Sequence, residues 1–321
     1  MITNPPFSGQ RAMTPKVSYS AILPAYNCSS TIARAIDSVL VQTYPLSEIL
    51  VIDDGSTDDT REVVQGYGDS VRYFVLPHSG YVALVRNRGI VESRGDYLAF
   101  LDADDAWHPN KLEEVARFIG RNPEAGLFYS DFNVVDETLR FLYRARCGKL
   151  SRDPYKRLLR HTPIATSTAV VKRDCFEVCG LFLQNVAACE DWEMWIRISR
   201  KFHVVYLPLP LSEYTFHKKA PSLSNTEDWF SAQLQVLEKV FGNDPDLTEK
   251  EKRRICAWAH YRAGRLRSIR GQDQEALLSF RSSIREDFFQ WRSWLFIVLL
   301  GMNSLVRPFI GWRHRRNLSV K

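Results

Sequence analysis

Three aspartates follow an apolar run near the middle of the sequence. The run covers residues 97–101, and the acids are Asp102, Asp104 and Asp105. An apolar run of this length predicts a buried strand. Alternate side chains of an extended strand point the same way, so Asp102 and Asp104 would share one side. Two such carboxylates favour a divalent cation that also holds a phosphate group. The alternative is a helix N-terminus, at which Asp105 could be the cap.

The same combination of a strand and acids occurs earlier in the chain. Residues 48–52 predict a strand that runs into Asp53 and Asp54. Strands that alternate with helices indicate an α/β fold with a largely parallel sheet, and such sheets bind ligands at the carboxyl ends of their strands. The glycine-rich fingerprint of dinucleotide-binding folds is absent. The other predicted strands cover residues 17–23, 71–76, 127–130 and 164–171.

Two arginines, Arg86 and Arg88, lie in a helix predicted over residues 81–93. A guanidinium group matches two phosphate oxygens, so either arginine could bind a diphosphate near the acidic strand ends. The alternative for each arginine is a surface ion pair with Glu92 or Asp96.

A second acidic pair, Glu190 and Asp191, stands at the start of a helix whose apolar residues follow one side. Acids at a helix N-terminus are favoured by the helix dipole, which is one interpretation of the pair. The other interpretation is a general base beside a pocket. The spacing does not distinguish between them. Residues 211–224 are predicted to form a loop that contains His217.

The C-terminal part of the chain is strongly basic. Residues 252–321 contain 15 Lys or Arg and 4 Asp or Glu, whereas residues 1–251 contain 28 and 33. A basic section beside a mildly acidic body indicates contact with an anionic surface, or else a solvated helical face. Three helices are predicted between residues 228 and 285.

An apolar stretch, residues 291–306, precedes an arginine-rich cluster at residues 312–316. The stretch is shorter than the ~20 residues that a spanning helix needs. It predicts a helix at the membrane interface whose arginines meet lipid phosphates, so that residues 291–316 make a peripheral membrane contact. The alternative is a helix that packs on the rest of the protein or on a second subunit of a homo-oligomer.

The composition is that of an ordinary globular protein, with 45% hydrophobic and 25% charged residues. The six cysteines are scattered without a Cys-x-x-Cys pair, which favours free thiols in a reducing compartment. No apolar run typical of a signal peptide precedes residue 17. We therefore expect residues 1–16 to be a flexible tail and the protein to be cytoplasmic, either free or peripheral on the inner face of the plasma membrane.

Six segments together resemble the inverting glycosyltransferases of family 2, which have the GT-A fold. One Asp-x-Asp motif would be weak evidence, whereas an ordered set of segments is specific. The resemblance implies a Rossmann-like mixed α/β sheet flanked by helices in a catalytic domain at residues 17–225, and a helical extension at residues 226–321. The segments are residues 23–27 (LPAYN), 51–58 (VIDDGSTD), 86–90 (RNRGI), 95–97 (GDY), 100–105 (FLDADD) and 190–192 (EDW).

The resemblance implies roles for residues on the donor side. Pro24, Tyr26 and Asp54 would surround the nucleotide base, with Asp54 accepting a hydrogen bond from a uracil-like imide. Arg86 would approach the diphosphate or the ribose, and Asp102 would belong to the same nucleotide site.

The resemblance also implies the metal ligands and the base. Asp102 and Asp104 form the Asp-x-Asp motif, with Asp104 the direct ligand of Mg²⁺ or Mn²⁺. Asp191 matches the acid that deprotonates the acceptor hydroxyl, and Glu190 and Trp192 would support the acceptor or the diphosphate.

Two positions depart from the family pattern. A small residue usually precedes the arginine of the Arg-Asn motif, but here it is Val85. The later Tyr-Arg-x-His loop is replaced by Tyr-Thr-Phe-His at residues 214–217. The second departure makes His217 a weak candidate for a contact with the diphosphate or the metal.

The implied reaction moves a sugar from a nucleotide-diphosphate sugar, with UDP favoured, to a hydroxyl of a saccharide or lipid-linked saccharide. No nucleic-acid partner is expected. A nucleotidyltransferase is one alternative, but it would need a glycine-rich basic loop after the first strand, where residues 24–27 have neither glycine nor cation. A non-catalytic nucleotide-sugar-binding scaffold is the other, and the intact acids argue against it.

Overall fold

The first half of the chain alternates strands and helices, as the hydrophobic pattern predicts. The computed structural model describes residues 16–150, 152–184, 186, 188–217 and 226–301. The strands are β1 (Tyr19–Ala25), β2 (Glu48–Asp53), β3 (Arg72–Val75), β4 (Tyr97–Phe100), β5 (Ala106–Trp107), β6 (Ala125–Asp136), β7 (Phe141–Ala145), β8 (Val170–Lys172) and β9 (His203–Phe216). The helices are α1 (Ile32–Leu40), α2 (Thr60–Gln65), α3 (Val82–Glu92), α4 (Lys111–Arg121), α5 (Pro154–Leu158), α6 (Asp174–Cys179), α7 (Glu190–Lys201), α8 (Thr226–Gly242), α9 (Glu249–Ile269), α10 (Asp273–Glu286) and α11 (Trp291–Gly301).

The described strands form one mixed sheet in the order β3-β2-β1-β4-β8-β6-β9-β5, with β7 paired to β6. The first four strands are parallel, so β1, β2 and β4 present their carboxyl ends at one edge. Strand β8 runs antiparallel to both β4 and β6, while β6 and β9 are parallel. The expected mixed α/β fold flanked by helices is therefore confirmed.

Both faces of the central strands are covered, which explains why their sequences are apolar throughout. Alternate residues of β1 belong to different cores: Ile22 packs in the core that contains α7, whereas Ala21 and Leu23 pack in the core that contains α1. Strand β4 divides in the same way, with Phe100 facing α7 and Ala99 facing α1. The period-two geometry of a strand thus places β1 and β4 between two helical layers.

The strand predicted at residues 164–171 is wrong for most of its length. Residues Thr166–Thr168 form a 3₁₀ helix, and only Val170–Lys172 pair in the sheet. The Thr168 hydroxyl donates to the carbonyl of Ala165 at 2.7 Å, a local bond that competes with strand pairing. The hydroxyl-rich segment consequently turns beside the sheet, where its side chains reach the acids described below.

The loop predicted after residue 210 is also wrong, because β9 continues to Phe216. Pro208 and Pro210 suggested a break in the sequence. In the structure the β6–β9 register shifts on either side of Asp131, whose partner is Pro210, and an irregular position of this kind tolerates a residue without an N–H group. Residues 218–224 of the predicted loop lie outside the described residues.

The three helices predicted between residues 228 and 285 are confirmed as α8, α9 and α10, and α11 follows. Phe230, Val236 and Ile255 share one core cluster with Trp195 of α7, so α8 and α9 pack directly on the sheet domain. Over the described part of the chain, none of the helices combines the length and the hydropathy needed to cross a membrane. The predicted tail lies outside the described residues apart from Lys16.

Candidate active site

A cleft of about 820 Å³ lies where the carboxyl ends of β1, β2 and β4 meet the start of α3. Side chains that are distant in sequence converge there because the parallel strands end at the same edge. The predicted residues on its walls are Pro24, Tyr26, Asp54, Arg86, Asp102, Asp104 and His217. The additional lining residues include Asn27, Cys28, His78, Gly80, Val82 and Val85.

At one end of the cleft, Tyr26 and His78 stack with their ring centroids 4.2 Å apart. Asp54 is buried beneath them and holds the loop that carries His78. Its Oδ1 accepts hydrogen bonds from the backbone N–H and the hydroxyl of Ser79, and its Oδ2 accepts one from the N–H of Gly80. The half-exposed ring of Tyr26 is a flat surface on which a planar group can stack.

The aspartates after β4 lie on a turn. The strand ends at Phe100, and the N–H of Asp105 donates to the carbonyl of Asp102 at 3.0 Å. The expectation that Asp102 and Asp104 alternate along an extended strand is therefore wrong. The turn nevertheless brings both carboxylates to the cleft wall.

Asp105 is buried and does not cap a helix, because α4 begins six residues later at Lys111. Its Oδ2 accepts from the Ser167 hydroxyl at 2.5 Å, and its Oδ1 accepts from the N–H of Thr215 at 2.9 Å. The same Ser167 hydroxyl accepts from the N–H of Asp102 at 3.1 Å. Asp105 therefore ties the aspartate turn to both the 3₁₀ helix and β9.

Lys111 of α4 completes this buried network, which no motif in the sequence indicated. Its ammonium group donates to the carbonyl of Ser167 at 2.7 Å and to the hydroxyl of Ser212 at 3.0 Å. Burial lowers the pKa of Lys111 well below its usual value and raises the pKa of Asp105 well above its usual value.

We expect Asp105→Ala to lower the free energy of unfolding by about 2–3 kcal/mol, because the substitution leaves buried donors on Ser167 and Thr215 without an acceptor. Asp105→Asn should cost only about 1 kcal/mol, since the amide has the same shape and its oxygen can still accept from the Thr215 N–H. Denaturant unfolding measures both. Equal losses for the two variants would show that these hydrogen bonds do not stabilise the turn.

Arg86 is buried and bridges two acids from different parts of the chain. One nitrogen donates to Asp102 at 2.7 Å, and the other donates to Glu190. The surface ion pair considered for Arg86 is therefore wrong, whereas Arg88 does form that pair, with Glu92 at 2.7 Å. The Nε atom of Arg86 has no hydrogen-bond partner among the described residues. The bridge links the aspartate turn to the start of α7.

Asp191 follows Glu190 at the N-terminus of α7 and accepts a hydrogen bond from the Thr166 hydroxyl at 3.0 Å. Burial and the neighbouring charge of Glu190 raise the pKa of Asp191 to about 6, although Arg86 and the Thr166 hydrogen bond act in the opposite direction. Neither Glu190 nor Asp191 is among the lining residues of the cleft, but Glu190 adjoins it through its ion pair with Arg86. Trp192 is buried, and its indole donates to the carbonyl of Leu158, which places it in the core.

His217 stands immediately after β9, with its Nε2 atom 2.9 Å from Asp104 and its Nδ1 atom 3.5 Å from Glu137. The backbone of the aspartate turn is held from the other side by Arg34, which donates to the carbonyl of Asp104 at 3.1 Å and pairs with Glu213 at 2.9 Å. Sequence reasoning missed Arg34, since a single arginine in an amphipathic helix carries no distinct signal. Asp104 is thus fixed by contacts from α1 and β9.

The sequence matches the family described as Glycosyl transferase family 2 over residues 20–179. The chain is also 31% identical over 183 residues to the UDP-Glc:alpha-D-GlcNAc-diphosphoundecaprenol beta-1,3-glucosyltransferase WfgD of Escherichia coli, an alignment that covers 56% of this chain and 68% of WfgD. The chain belongs to glycosyl transferase family 2. Membership of this family argues against the nucleotidyltransferase alternative.

Other relatives of this glycosyltransferase differ in length. The amylovoran biosynthesis glycosyltransferase AmsB of Erwinia amylovora is 28% identical, with 82% of this chain and 89% of AmsB aligned. An uncharacterized glycosyltransferase of Rickettsia felis is 30% identical over 72% of this chain. The chain spans 38%, 32% and 60% of the lengths of the first three Rickettsia relatives that it matches.

Solved structures share the fold of the transferase. Staphylococcus aureus TarS 1-349 in complex with UDP-GlcNAc has a TM-score of 0.65 at 18% identity and covers 94% of this chain and 90% of the TarS chain. The mannosyltransferase PcManGT from Pyrobaculum calidifontis, in complex with GDP-Man and Mn²⁺, has a TM-score of 0.62 at 18% identity. The alignment covers 96% of this chain and 86% of the PcManGT chain. The expected GT-A architecture is confirmed by these similarities.

Proposed function

We propose that this transferase moves a sugar from a UDP-sugar to a hydroxyl group of a saccharide or a lipid-linked saccharide, with inversion at the anomeric carbon. The observation that carries the proposal is one chain of contacts at the cleft. Asp104 and Asp102 line the cleft, Arg86 joins Asp102 to Glu190, and Asp191 follows Glu190 in sequence. The groups that could hold a diphosphate therefore lie next to Asp191, the carboxylate that could deprotonate the acceptor hydroxyl.

The base of the donor would lie on Tyr26, beside Pro24 and above Asp54. A hydrogen bond from a uracil imide to Asp54 requires a free acceptor position on the carboxylate. The carboxylate already accepts three hydrogen bonds from Ser79 and Gly80, and His78 Nδ1 lies 3.0 Å from Oδ2. The imide would take the acceptor position that His78 occupies, so we propose that His78 moves aside when the base binds.

A divalent metal fits the donor set at the aspartate turn. Burial and the charge of Asp102 raise the pKa of Asp104, so a cation near this carboxylate would relieve an unfavourable burial of negative charge. The described residues contain no group of three or more protein ligands able to hold a metal. A site with one or two protein carboxylates suits Mg²⁺ or Mn²⁺, because these ions commonly take their remaining ligands from substrate phosphate oxygens and water.

The metal, when bound through Asp104, would supply Lewis-acid stabilisation of the leaving diphosphate. Arg86 would add positive charge at the same end of the cleft and keep the Asp102 carboxylate in place through its hydrogen bond. Asp191 would accept the proton of the acceptor hydroxyl as that oxygen attacks the anomeric carbon from the face opposite the diphosphate. Direct displacement of this kind inverts the anomeric centre without a covalent enzyme intermediate.

The acceptor class is proposed from the relatives. WfgD is named for a diphosphoundecaprenol-linked acceptor and AmsB for amylovoran biosynthesis. The name of WfgD thus supports a lipid-linked saccharide as the acceptor, and the name of AmsB supports a role in polymer biosynthesis without naming an acceptor.

Calorimetric titration with UDP, GDP, CDP and dTDP, with and without Mn²⁺, tests the donor side. We expect UDP to bind more tightly than the other nucleotides and to do so only when Mn²⁺ is present. Incubation with UDP-sugars and a panel of saccharide acceptors, followed by NMR of the anomeric proton, then tests inversion. A folded protein that binds none of the four nucleotides would contradict the proposal.

The rate of transfer should depend on pH through Asp191. A general base must be ionised, and its pKa is about 6, so kcat/KM should be constant at neutral pH and fall as the pH drops through about 6. Thr166→Val removes a hydrogen bond that favours the ionised carboxylate, and should move this decline to higher pH. An unshifted profile in the variant would assign the titration to another group.

A further inference from the structure

Helix α11 has two apolar faces, of which only one is covered. The inner face carries Phe296, Ile297 and Leu300, which pack against the cluster containing Tyr261 of α9 and Phe280 of α10. The Phe296 and Phe280 rings stack with their centroids 5.2 Å apart. This face anchors α11 to the two preceding helices.

The opposite face also consists of large apolar residues, although it is exposed. Trp291, Trp294, Leu295 and Val298 have exposed fractions of 61%, 42%, 43% and 54%. Their i, i+3, i+4, i+7 spacing places them in one stripe along the helix. Trp294 and Phe296 are two residues apart, or about 200° around the helix axis, so the stripe lies opposite the inner face. A surface helix of a globular protein normally carries polar residues there. An exposed apolar stripe of this size is typical of a binding surface.

Two phenylalanines extend this stripe at its N-terminal end. Phe288 and Phe289 are 66% and 82% exposed. The Phe288 ring lies edge-on to the rings of Phe289 and Trp294, at 5.8 Å and 5.5 Å between centroids, and the Trp294 indole donates to the Phe288 carbonyl at 3.0 Å. We call these six side chains, at residues 288, 289, 291, 294, 295 and 298, the outer apolar surface.

Positive charge accompanies the outer apolar surface. The Arg292 guanidinium lies 5.0 Å from the centre of the Trp291 ring and 5.4 Å from that of Trp258. Arg285, exposed at the end of α10, precedes Phe288 by three residues in the sequence. In the described part of the chain, no carboxylate forms an ion pair with Arg285 or Arg292. These guanidinium groups are consequently available to an anion that approaches the outer apolar surface.

The nearby acids do not cancel this charge, because they have other partners. Glu286 lies 3.6 Å from Arg253, and Asp287 lies 3.8 Å from Arg254. The sequence that follows α11, residues 302–321, adds five Lys or Arg and no Asp or Glu. The outer apolar surface is thus combined with a net positive charge.

We propose that the outer apolar surface binds the headgroup region of an anionic lipid bilayer, with α11 lying in the plane of the interface. Tryptophan and phenylalanine enter the interface with apolar faces, while arginine meets the lipid phosphates. A two-fold contact between copies of this chain would instead place this positively charged surface against a surface of the same sign, an arrangement that like charges disfavour. The charge distribution thus favours an anionic occupant over a second copy. The proposal does not depend on the transfer reaction.

The test is sedimentation of the full chain with sucrose-loaded vesicles of phosphatidylcholine, either alone or with about 30% phosphatidylglycerol. We expect binding to the anionic vesicles that weakens as salt rises from about 0.1 M to about 0.5 M, and much weaker binding to the neutral ones. The double variant Phe289→Ser/Trp291→Ser should lower the partition coefficient by about tenfold or more. Both side chains are mostly exposed, so their replacement leaves the core intact.

Two further variants complete the test. Arg285→Gln/Arg292→Gln should abolish the preference for anionic vesicles while the apolar residues remain. The matched control Phe141→Ser/Val178→Ser replaces two side chains that are 58% and 60% exposed on the sheet domain, and should bind vesicles like the unaltered chain.

Three results would overturn the proposal. The first is the absence of vesicle binding by the unaltered chain, and the second is equal binding to neutral and anionic vesicles. The third is a dimer in sedimentation velocity that Phe289→Ser/Trp291→Ser converts to a monomer, which would assign the outer apolar surface to a contact between copies. Calorimetric UDP binding by the variants separates any of these results from a failure of the proposed transferase function.

Discussion

Replacing Asp191 with asparagine is expected to lower kcat for transfer by about 10³-fold, because the amide cannot accept the proton of the acceptor hydroxyl. The shape of the side chain is preserved, and its oxygen can still accept the hydrogen bond from Thr166. Binding of UDP in the presence of Mn²⁺ should therefore change by less than about twofold, since Asp191 acts on the acceptor and not on the nucleotide. Steady-state kinetics with a chromatographic assay of the glycosylated product, together with calorimetry, measure both quantities.

Asp174→Asn is the matched control for this substitution. Asp174 also stands in the first turn of a short helix, α6, but its side chain is 52% exposed and pairs with Lys172. Its replacement should leave kcat unchanged. Transfer by Asp191→Asn at the rate of the unaltered enzyme would remove Asp191 from the mechanism, whereas a parallel loss of UDP binding would indicate that the start of α7 has a structural role.

Replacing Asp104 with asparagine is expected to abolish the effect of Mn²⁺ on nucleotide binding. In the unaltered enzyme we expect Mn²⁺ to tighten UDP binding by about tenfold or more, because the metal links the carboxylate to the diphosphate. The neutral amide is a poorer ligand for a hard divalent cation, so UDP should bind Asp104→Asn equally weakly with and without Mn²⁺. The rate of sugar transfer by this variant should also fall, by about 10²-fold or more. Paired calorimetric titrations measure the first effect and initial rates the second.

Removal of the charge relieves the repulsion between Asp104 and Asp102, which offsets the loss of the contact with His217, so this variant should fold as well as the unaltered protein. The control is Asp69→Asn, at an exposed position in the 3₁₀ helix Gly68–Ser70, which should retain the full Mn²⁺ effect. A retained Mn²⁺ effect in Asp104→Asn would mean that the metal is held elsewhere. Enhanced UDP binding by Asp104→Asn without metal would show that the carboxylate only repels the diphosphate.

The fold and most of the cleft residues could be predicted from the sequence, since each depends on a local pattern. Apolar runs that end in acids identified β2 and β4, and the apolar residues along one side of the helix after Glu190 and Asp191 identified α7. Acids and aromatics at the carboxyl ends of parallel strands must meet at one edge of the sheet. The positions of Asp54, Asp102 and Asp104 on the cleft follow from that geometry, whereas Tyr26 was expected there from the resemblance to family 2.

Contacts between distant segments could not be predicted in this way. Arg86 and Glu190 are 104 positions apart, and Thr215 and Asp105 are 110 apart. Whether Arg86 meets a surface acid or a buried one depends on how α7 packs against the carboxyl end of β4. The period of a helix indicates which face is buried but does not specify the partner on the other side.

The sequence by itself determined which chemical groups this protein can use: strand ends rich in aspartate, an arginine in the following helix, and an acidic pair before an apolar helix. Only the tertiary structure decided how those groups are used. It folded the Asp102–Asp105 segment into a turn, buried Asp105 among Ser167, Thr215 and Lys111, and left one apolar face of α11 exposed. The reason is physical, because side-chain chemistry and local periodicity belong to short stretches of chain, whereas burial and charge pairing arise only when distant stretches pack together.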